Sequence, residues 1–293
     1  MYKVTVIGSF YGAWPVWFPA FLLSCRRNPE IEWLFFTDCP IPAELPKNIT
    51  FVPYSLDQLN RTASQRLDLC IQKSNYSQVD LRPAYGAIFA PYLKGIDFWG
   101  HCDFDVVWGD IRHFIPDSLL EHQHIISSRK KRLAGHFNLW KNVPEINQLF
   151  ESAPGYQAAF KDPSYTRFDE KGMFDFISGL LLAGKNDWLH VHWPEVMVAD
   201  WPELEKKSRG WYWEEGKLYN KAGCERIYMH FMTWKKSMKW IDFQSEEQPR
   251  RFTITRRGIW SQQAPWIERL IDATQLSAFQ RTQPIHTKRP RRH

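Results

Sequence analysis

The 293-residue sequence lacks the nucleotide-binding motifs that are easiest to recognise. Neither Gly-x-Gly-x-x-Gly nor Gly-x-x-x-x-Gly-Lys-Ser/Thr follows any candidate N-terminal strand, so classical dinucleotide binding and P-loop phosphate binding lose support. No apolar run approaches the roughly 18 residues that cross a bilayer. The start, Met-Tyr-Lys-Val-Thr-Val-Ile-Gly, lacks the residue order of a signal peptide. We therefore expect a soluble chain.

Paired cysteines are also missing. The five cysteines are odd in number and contain no Cys-x-x-Cys spacing. This pattern argues against a disulfide framework or a zinc site, and it favours a reducing cytoplasm.

Acidic residues are absent after residue 280, although the chain carries a net charge of +6. Five of these positive charges come from Arg281, Lys288, Arg289, Arg291 and Arg292. The rest of the chain is close to neutral, which argues against a surface that wraps nucleic acid. Residues 281–293 are interpreted as a basic disordered tail. The alternative is peripheral attraction of this tail to the anionic inner membrane leaflet.

The stretch with the most chemical content is residues 98–110, an apolar run that leads into Asp103 and Asp105. If residues 98–102 form a buried strand, the two carboxylates leave its end on the same side, because side chains in extended backbone repeat every second residue. Carboxylates that converge repel each other unless a cation joins them. Mn²⁺ or Mg²⁺ suits such oxygen ligands and keeps positions open for phosphates. A solvated turn without a metal is the alternative.

Alternating and apolar runs predict strands at residues 3–10, 31–37 and 48–54, with a helix at 14–25 between the first two and another at 56–71 after the third. This order predicts an α/β fold. We expect a catalytic domain over residues 1–245, with a nucleotide-binding half at about 1–115 and an acceptor half at about 116–245, then a hairpin (251–260) and helix (264–276) in an extension over 246–280, and the tail at 281–293.

The Phe-Trp-Gly-x-x-Asp-x-Asp-x-x-x-Gly-Asp core at residues 98–110 resembles glycosyltransferases of the GT-A fold, most closely an uncharacterised bacterial family of that superfamily. A weaker resemblance runs from the first strand to about residue 240. It implies a GT-A (Rossmann-like) α/β fold with a mixed, mainly parallel sheet flanked by helices. It also implies metal-dependent transfer of a hexose, galactose or glucose, from a UDP-sugar to a saccharide or lipid-linked oligosaccharide acceptor in bacterial surface polysaccharide biosynthesis.

A second resemblance concerns the third metal ligand. Glycogenin-like members carry His-x-x-Gly-x-x-Lys late in the chain, where the histidine binds the metal and the lysine binds the diphosphate. His230 and Lys236 match the ends of this pattern, whereas Thr233 replaces the glycine. The resemblance implies that His230 joins Asp103 and Asp105 as a ligand. A histidine satisfied within the core is the alternative.

Further donor contacts are expected at strand and helix ends. The loop after the first strand could touch the uracil or ribose, or be an ordinary turn, and the GT-A resemblance places the end of the second strand near the nucleoside. Arg82, near a helix N-terminus that itself favours anions, could pair with a phosphate, and a strand passing the site could offer an amide to a sugar hydroxyl. The candidates are Ser9, Phe10, Tyr11, Asp38, Arg82 and Asn138.

An inverting transferase needs a carboxylate that accepts the proton of the acceptor hydroxyl. Asp169 and Glu170 are the candidates for this catalytic base. Acidic residues before a helix also match the helix dipole without any catalytic role. The tryptophans between residues 188 and 213 are either an acceptor platform or core packing.

Two other functions fit parts of this pattern. A metal-dependent phosphoester hydrolase also uses paired aspartates, but it needs more ligands for a second metal. A non-catalytic carbohydrate-binding protein could retain the GT-A shell and the aromatic residues without transfer activity.

Overall fold

The computed structural model describes residues 1–128, 133–184, 187–193, 210–220, 222–232 and 234–261. The helix that we predict at 264–276 and the tail at 281–293 lie outside these residues. No helix among the described residues is both long enough and apolar enough to cross a membrane.

A seven-stranded sheet lies at the centre of the N-terminal part. Its strands are β1 Val4–Phe10, β2 Ile31–Thr37, β3 Ile49–Pro53, β4 Phe98–Cys102, β6 Ile125–Ser127, β7 Phe137–Lys141 and β8 Val191–His192. The spatial order is β3-β2-β1-β4-β7-β6-β8. The pairs from β3 to β4 and the β6–β8 pair are parallel, whereas β7 runs antiparallel to both β4 and β6. The predicted α/β class, with a mixed and mainly parallel sheet flanked by helices, is confirmed.

The helices are α1 Phe18–Arg26, α2 Leu56–Leu67, α3 Tyr85–Ile88, α4 Ile111–Phe114, α5 Asp117–His122, α6 Pro144–Asn147, α7 Tyr156–Lys161 and α8 Met173–Leu182. Short 3-10 helices cover Ser77–Ala84, Ala90–Tyr92, Leu149–Ser152 and Trp234–Lys236, and a π-helix covers Phe168–Gly172. The helix predicted over 56–71 ends early because Asp68 has a left-handed backbone with φ of 51°. The helix predicted from residue 14 begins only at Phe18.

Both faces of the large sheet are covered by apolar side chains. Val4 and Val6 pack with helix α1 on one face, while Ile7 packs with α2 and α3 on the other. A strand buried on both faces reads as a nearly continuous apolar run, as residues 33–36 of β2 do. Helices on both faces leave the strand ends free to form a site.

A second, six-stranded sheet follows in the chain. Its strands are β9 Trp211–Glu214, β10 Lys217–Tyr219, β11 Glu225–Arg226, β13 Trp240–Ile241, β14 Arg251–Ile254 and β15 Gly258–Trp260. Strands β14 and β15 form an antiparallel pair, and β14 pairs with β9, so this sheet spans both sides of residue 245. The domain boundary at 245 stays a prediction.

Candidate active site

The two carboxylates of the Asp-x-Asp stretch lie directly beyond central strand β4. The backbone N–H of Asp103 donates to the carbonyl of His136, at 3.1 Å, so the turn is fixed against the strand beside it. The Asp103 side chain is 28% exposed, whereas that of Asp105 is 9% exposed. One carboxylate is therefore open to solvent and the other is nearly enclosed.

His230 reaches these carboxylates through a separate two-stranded ladder. Strand β12 (Tyr228–His230) pairs antiparallel with β5 (Val106–Trp108), and His230 lies opposite Val106. The next residue, Phe231, donates its N–H to the Asp105 carbonyl at 2.7 Å. The imidazole Nε2 lies 3.2 Å from Asp105 Oδ1 and 3.8 Å from Asp103 Oδ2. The ladder thus brings together residues that are far apart in the sequence.

Two cations bind one oxygen each of Asp103 and Asp105, and these two are called the outer oxygens. Arg82 binds Asp103 Oδ1 and also donates to the Gly135 carbonyl. The ammonium group of Lys235 lies 2.6 Å from Asp105 Oδ2. The inner oxygens, Asp103 Oδ2 and Asp105 Oδ1, are the ones that face His230. The outer contacts therefore orient one oxygen of each carboxylate toward the imidazole.

The electrostatics of this group favour charged side chains. Burial alone would raise the pKa of Asp105, but His230 and Lys235 hold it well below its ordinary value. Burial would likewise lower the pKa values of Arg82 and Lys235, yet their carboxylate partners raise both. Asp105 therefore stays ionised at neutral pH, as a metal ligand must.

The donor set fits a hard divalent ion. One candidate ligand atom each from Asp103, Asp105 and His230 lies within 4.8 Å of the other two. An octahedral ion with ligands at 2.0–2.1 Å holds neighbouring ligands about 3 Å apart, and the 3.2 Å between His230 Nε2 and Asp105 Oδ1 is close to this separation. Two carboxylate oxygens and one imidazole suit Mn²⁺ or Mg²⁺, and the exposed side of Asp103 leaves room for further ligands.

The imidazole of His230 is supported from behind. The His136 ring stacks on it, with centroids 4.2 Å apart and planes inclined by 24°. His136 Nε2 is 2.6 Å from the Tyr228 hydroxyl, which donates to Ser128 Oγ at 2.7 Å. Such outer contacts fix the ring orientation of a ligating histidine.

Asp169 and Glu170, the candidate bases, begin the π-helix and lie against Gly135. A Cβ at Gly135 would lie 2.6 Å from Glu170 Oε1 and 3.0 Å from Asp169 Oδ2, so any larger residue would displace these carboxylates. Asp169 is buried and lies 3.8 Å from Arg82 Nη1. Glu170 is 32% exposed and pairs with Arg167 at 3.2 Å. The two carboxylates therefore have different surroundings although they are adjacent.

A buried ion pair fixes the segment before this π-helix. Lys73 and Asp80 are 3.1 Å apart with both side chains fully buried. Asp80 accepts the N–H groups of Thr166 and Phe168, each at 2.9 Å. This anchoring places the segment that carries Asp169 beside Arg82.

The residues predicted near the nucleoside lie at the ends of β1 and β2. Ser9 Oγ hydrogen-bonds to Gln78 and Tyr85, at 2.6 and 2.8 Å. Asp38 accepts the Gly12 N–H at 2.7 Å and is exposed. Phe10 stacks on Trp14. The hydroxyl of Tyr11 is buried without a hydrogen-bond partner among the described residues.

The remaining donor candidates lie in different environments. Asn138 is fully buried, and its amide donates to the Ala134 carbonyl at 2.5 Å and lies 3.4 Å from His101 Nε2. Lys236 is exposed, one residue beyond the lysine that contacts Asp105. Sequence reasoning missed Lys235 because the family pattern points to the next position. It also missed the Lys73–Asp80 pair, for which the sequence carries no signal.

The tryptophans of the suggested acceptor platform differ in placement. Trp211 and Trp213 are buried in a core beneath the six-stranded sheet, so core packing is correct for these two. Trp188 is 43% exposed. Trp201 lies outside the described residues.

Comparison with known proteins places the chain in a family without assigning an activity. Residues 6–263 match the model of a family of unknown function (DUF6625), and the chain belongs to this family. No curated protein matches the sequence.

Solved structures with a related chain path include mouse xyloside xylosyltransferase 1 in its apo form, at 13% identity, TM-score 0.40, and coverage of 67% of this chain and 86% of that one. Galactosyltransferase LgtC in complex with donor and acceptor sugar analogues is 14% identical, with TM-score 0.34 and coverage of 60% and 70%. These similarities are distant.

Proposed function

We propose that this chain is a metal-dependent glycosyltransferase of the GT-A fold, which moves a hexose from a UDP-sugar to a saccharide acceptor. The observation that supports this proposal most strongly is the convergence of Asp103 Oδ2, Asp105 Oδ1 and His230 Nε2 beyond the central strand of a mainly parallel sheet. Ligands of α/β proteins collect at this end of the strands.

The charged groups of the site have separate tasks in this proposal. A Mn²⁺ or Mg²⁺ ion held by Asp103, Asp105 and His230 would neutralise charge on a departing diphosphate. Lys235 is 44% exposed and keeps its charge beside the carboxylates. It and the exposed Lys236 offer ammonium groups to the same phosphates. Preorganised charge of this kind is usually the largest contribution to catalysis.

Glu170 is the better placed of the two candidate bases. A base needs access to the acceptor hydroxyl, and Glu170 is partly exposed whereas Asp169 is enclosed beside Arg82. We assign proton acceptance in an inverting reaction to Glu170. Asp169 then positions Arg82, which in turn orients Asp103.

The nucleoside is proposed to bind where β1 and β2 end. Ser9, Phe10, Tyr11 and Asp38 lie there, and the exposed Asp38 carboxylate offers a hydrogen-bond acceptor to the nucleoside. Asn138 is fully buried, and its contact with a donor-sugar hydroxyl stays a prediction. A role in surface polysaccharide assembly, at the cytoplasmic face of a membrane contacted by residues 281–293, completes the proposal.

The two-metal hydrolase is disfavoured by the ligand count. Within the ranges that the structure describes, Asp103, Asp105 and His230 form the one cluster of metal-binding geometry. A two-metal phosphoesterase holds its ions about 3.5–4 Å apart and needs ligands for both.

A thermal-shift titration tests the proposal. UDP, GDP, CMP and ADP are each added with and without Mn²⁺ to the wild-type chain and to Asp105→Asn. We expect stabilisation by UDP that requires Mn²⁺ and disappears in the variant, since a ligand at 100 times its dissociation constant adds about 2.7 kcal/mol. Equal shifts with and without Mn²⁺, or an undiminished shift in Asp105→Asn, would contradict the metal-bridged donor site.

A further inference from the structure

The outer face of the six-stranded sheet carries a row of aromatic side chains outside the candidate active site. Strand register places Tyr219 opposite Tyr212, Tyr212 opposite Thr253, and Thr253 opposite Trp260. Alternation along β9 and β14 sends Trp213 and Phe252 to the buried face, so Tyr212 and Thr253 point outward. The row therefore crosses β10, β9, β14 and β15.

The short Thr253 between two large rings produces a cleft. Tyr212 and Trp260 are separated by two strand spacings, or about 9.6 Å, with Thr253 as the floor. A flat ring in van der Waals contact with both walls needs about 7–8 Å between them. The cavity on this face measures about 340 Å³, and its lining includes all three residues. It can therefore accept a ring held between the two aromatic walls.

Both walls are braced before any ligand arrives. Tyr219 stacks behind Tyr212, with centroids 4.9 Å apart and planes inclined by 16°. Trp260 donates its Nε1–H to Thr255 Oγ1 at 3.3 Å. A Cβ at Gly258 would lie 2.7 Å from the Trp260 ring, so glycine makes room for this ring position. Rigid walls reduce the entropy that binding would cost.

Polar groups lie at one end of the cleft. Glu214 and Arg251 are direct cross-strand partners on the same outward face, two residues along from Tyr212 and Thr253, and both line the cavity. An apolar helix from a partner protein would leave this carboxylate and guanidinium without partners. A pyranose has apolar ring faces and a rim of hydroxyls, and it complements both features.

We propose that Tyr212, Thr253 and Trp260 form a saccharide-binding cleft that holds a pyranose ring of the acceptor glycan, with Glu214 and Arg251 bonding its hydroxyls. The choice of a sugar rather than another flat ligand rests on the proposed function. The cleft lies on the six-stranded sheet, whereas the candidate metal-binding carboxylates follow strand β4 of the large sheet, so the cleft would hold a part of the acceptor other than the reacting sugar and raise the local concentration of the acceptor.

Saturation-transfer NMR with maltohexaose, cellohexaose and a β-1,4-linked galactohexaose tests this cleft in the full-length chain. We expect at least one of these probes to bind, and its affinity to fall about tenfold in Trp260→Ala and in Tyr212→Ala, because each change removes one wall. Trp240→Ala is the matched control, since Trp240 is 56% exposed on the same sheet and does not line the cavity. It should bind like the wild type.

Failure of the cleft and failure of the glycosyltransferase assignment give different results. No binding of any hexasaccharide, or equal binding by the wild type and both cleft variants, would overturn the cleft while leaving a Mn²⁺-dependent UDP shift intact. Loss of affinity in the cleft variants without any UDP shift in the wild type would support the cleft and reject the donor site. A cooperative thermal transition close to that of the wild type shows that Trp260→Ala and Tyr212→Ala are folded, whether or not UDP binds.

Discussion

Lys73 and Asp80 form an ion pair from which solvent is excluded. The Lys73 ammonium also donates to the carbonyls of Ala159 and Asp162, each at 2.7 Å. Every charge in this group is therefore compensated by a close partner. The pair joins the 3-10 helix beside the candidate site to helix α7 and the chain that follows it, so it acts on the site through position rather than contact.

Replacing Lys73 by Met should destabilise the protein by about 3–5 kcal/mol, because it leaves the Asp80 carboxylate buried without its cation. Urea unfolding measures this loss. The matched control is Lys171→Met, which removes an exposed pair with Asp175 and should cost about 0.3–0.5 kcal/mol. Similar losses in the two variants would show that burial does not govern the Lys73 pair.

Asp169 gives the molecule a pH-dependent stability. Burial raises its pKa from 3.8 to about 8; Arg82 opposes this shift without cancelling it, while Glu170, Asp80 and Asp103 add to it. Between these pKa values the native chain holds a proton that the unfolded chain has released. The contribution of Asp169 is therefore fully present below about pH 4, and it is lost as pH rises toward about 8.

Asp169→Asn should remove this loss of stability with rising pH, which amounts to about 1.4 kcal/mol per pH unit between about pH 4 and about pH 8. The free energy of unfolding of the metal-free chain is measured between pH 5 and 8 for the wild type, for Asp169→Asn and for the exposed control Asp175→Asn. The slope should flatten in the first variant only. A wild-type slope retained in Asp169→Asn would show that Asp169 is already ionised near neutral pH.

The strands of the large sheet could be predicted well from the sequence. The bounds predicted for β2 and β4 agree with the structure residue by residue, because both are runs of large apolar residues that the sheet buries. Helix ends were less accurate, since the left-handed turn at Asp68 carries no strong residue signal. Local sequence patterns indicate which residues are buried and whether they form a strand or a helix, but they indicate less about the residue at which a helix ends.

Pairings between distant segments could not be predicted from local pattern. The family resemblance suggested His230 as a ligand, but nothing in the sequence specified that β12 pairs with β5 and sets His230 beside Asp105. Lys235, in the 3-10 helix that follows this ladder, contacts Asp105, whereas the motif spacing indicates Lys236. The hydrogen-bond register between strands, rather than the residue spacing of a motif, determines which side chain reaches the carboxylates.

Strand β12 also contains Tyr228, whose hydroxyl contacts His136, the residue that stacks on His230. Tyr228→Phe removes the hydroxyl that bonds His136 and Ser128, so His136 should hold His230 less firmly. We expect Mn²⁺ affinity to fall by about 10- to 100-fold, as for other contacts behind a ligand. Titration followed by EPR measures it.

Tyr54→Phe is the control for this variant, since it removes a tyrosine hydroxyl bonded to Thr62, outside the metal-binding group. It should leave Mn²⁺ affinity unchanged. Equal affinities in the wild type and Tyr228→Phe would mean that the stacked His136 ring needs no hydroxyl to support His230.

At the scale of the whole molecule, the six-stranded sheet shares a core with the two-stranded ladder that carries His230. Phe252, Ile254 and Ile259 from the C-terminal hairpin are buried together with Val107 from the segment after Asp105 and with Phe231 beside His230. Burying one such side chain fully contributes about 1.5–3 kcal/mol. The three hairpin residues together therefore supply a large part of a typical stability of 5–15 kcal/mol.

Ending the chain after residue 245 should consequently abolish cooperative unfolding, although the predicted catalytic domain ends there. Ending it after residue 280 removes only the basic tail and should retain cooperative unfolding. Calorimetry of the two truncated chains compares them directly. A cooperative transition in the chain that ends at 245 would show that the hairpin is not needed for folding.

In the proposed site, Asp103, Asp105 and His230 together hold one divalent ion. Pulsed EPR of the chain loaded with Mn²⁺ tests it most directly, because a coordinated imidazole gives a nitrogen modulation that oxygen ligands do not. We predict one bound Mn²⁺ per chain with this modulation in the wild type, its loss in His230→Gln, and its retention in His190→Gln, because the His190 ring nitrogens lie beside the carbonyls of His122 and Asp187 instead. Failure of the wild type to bind Mn²⁺, or a nitrogen modulation that persists in His230→Gln, would contradict the account.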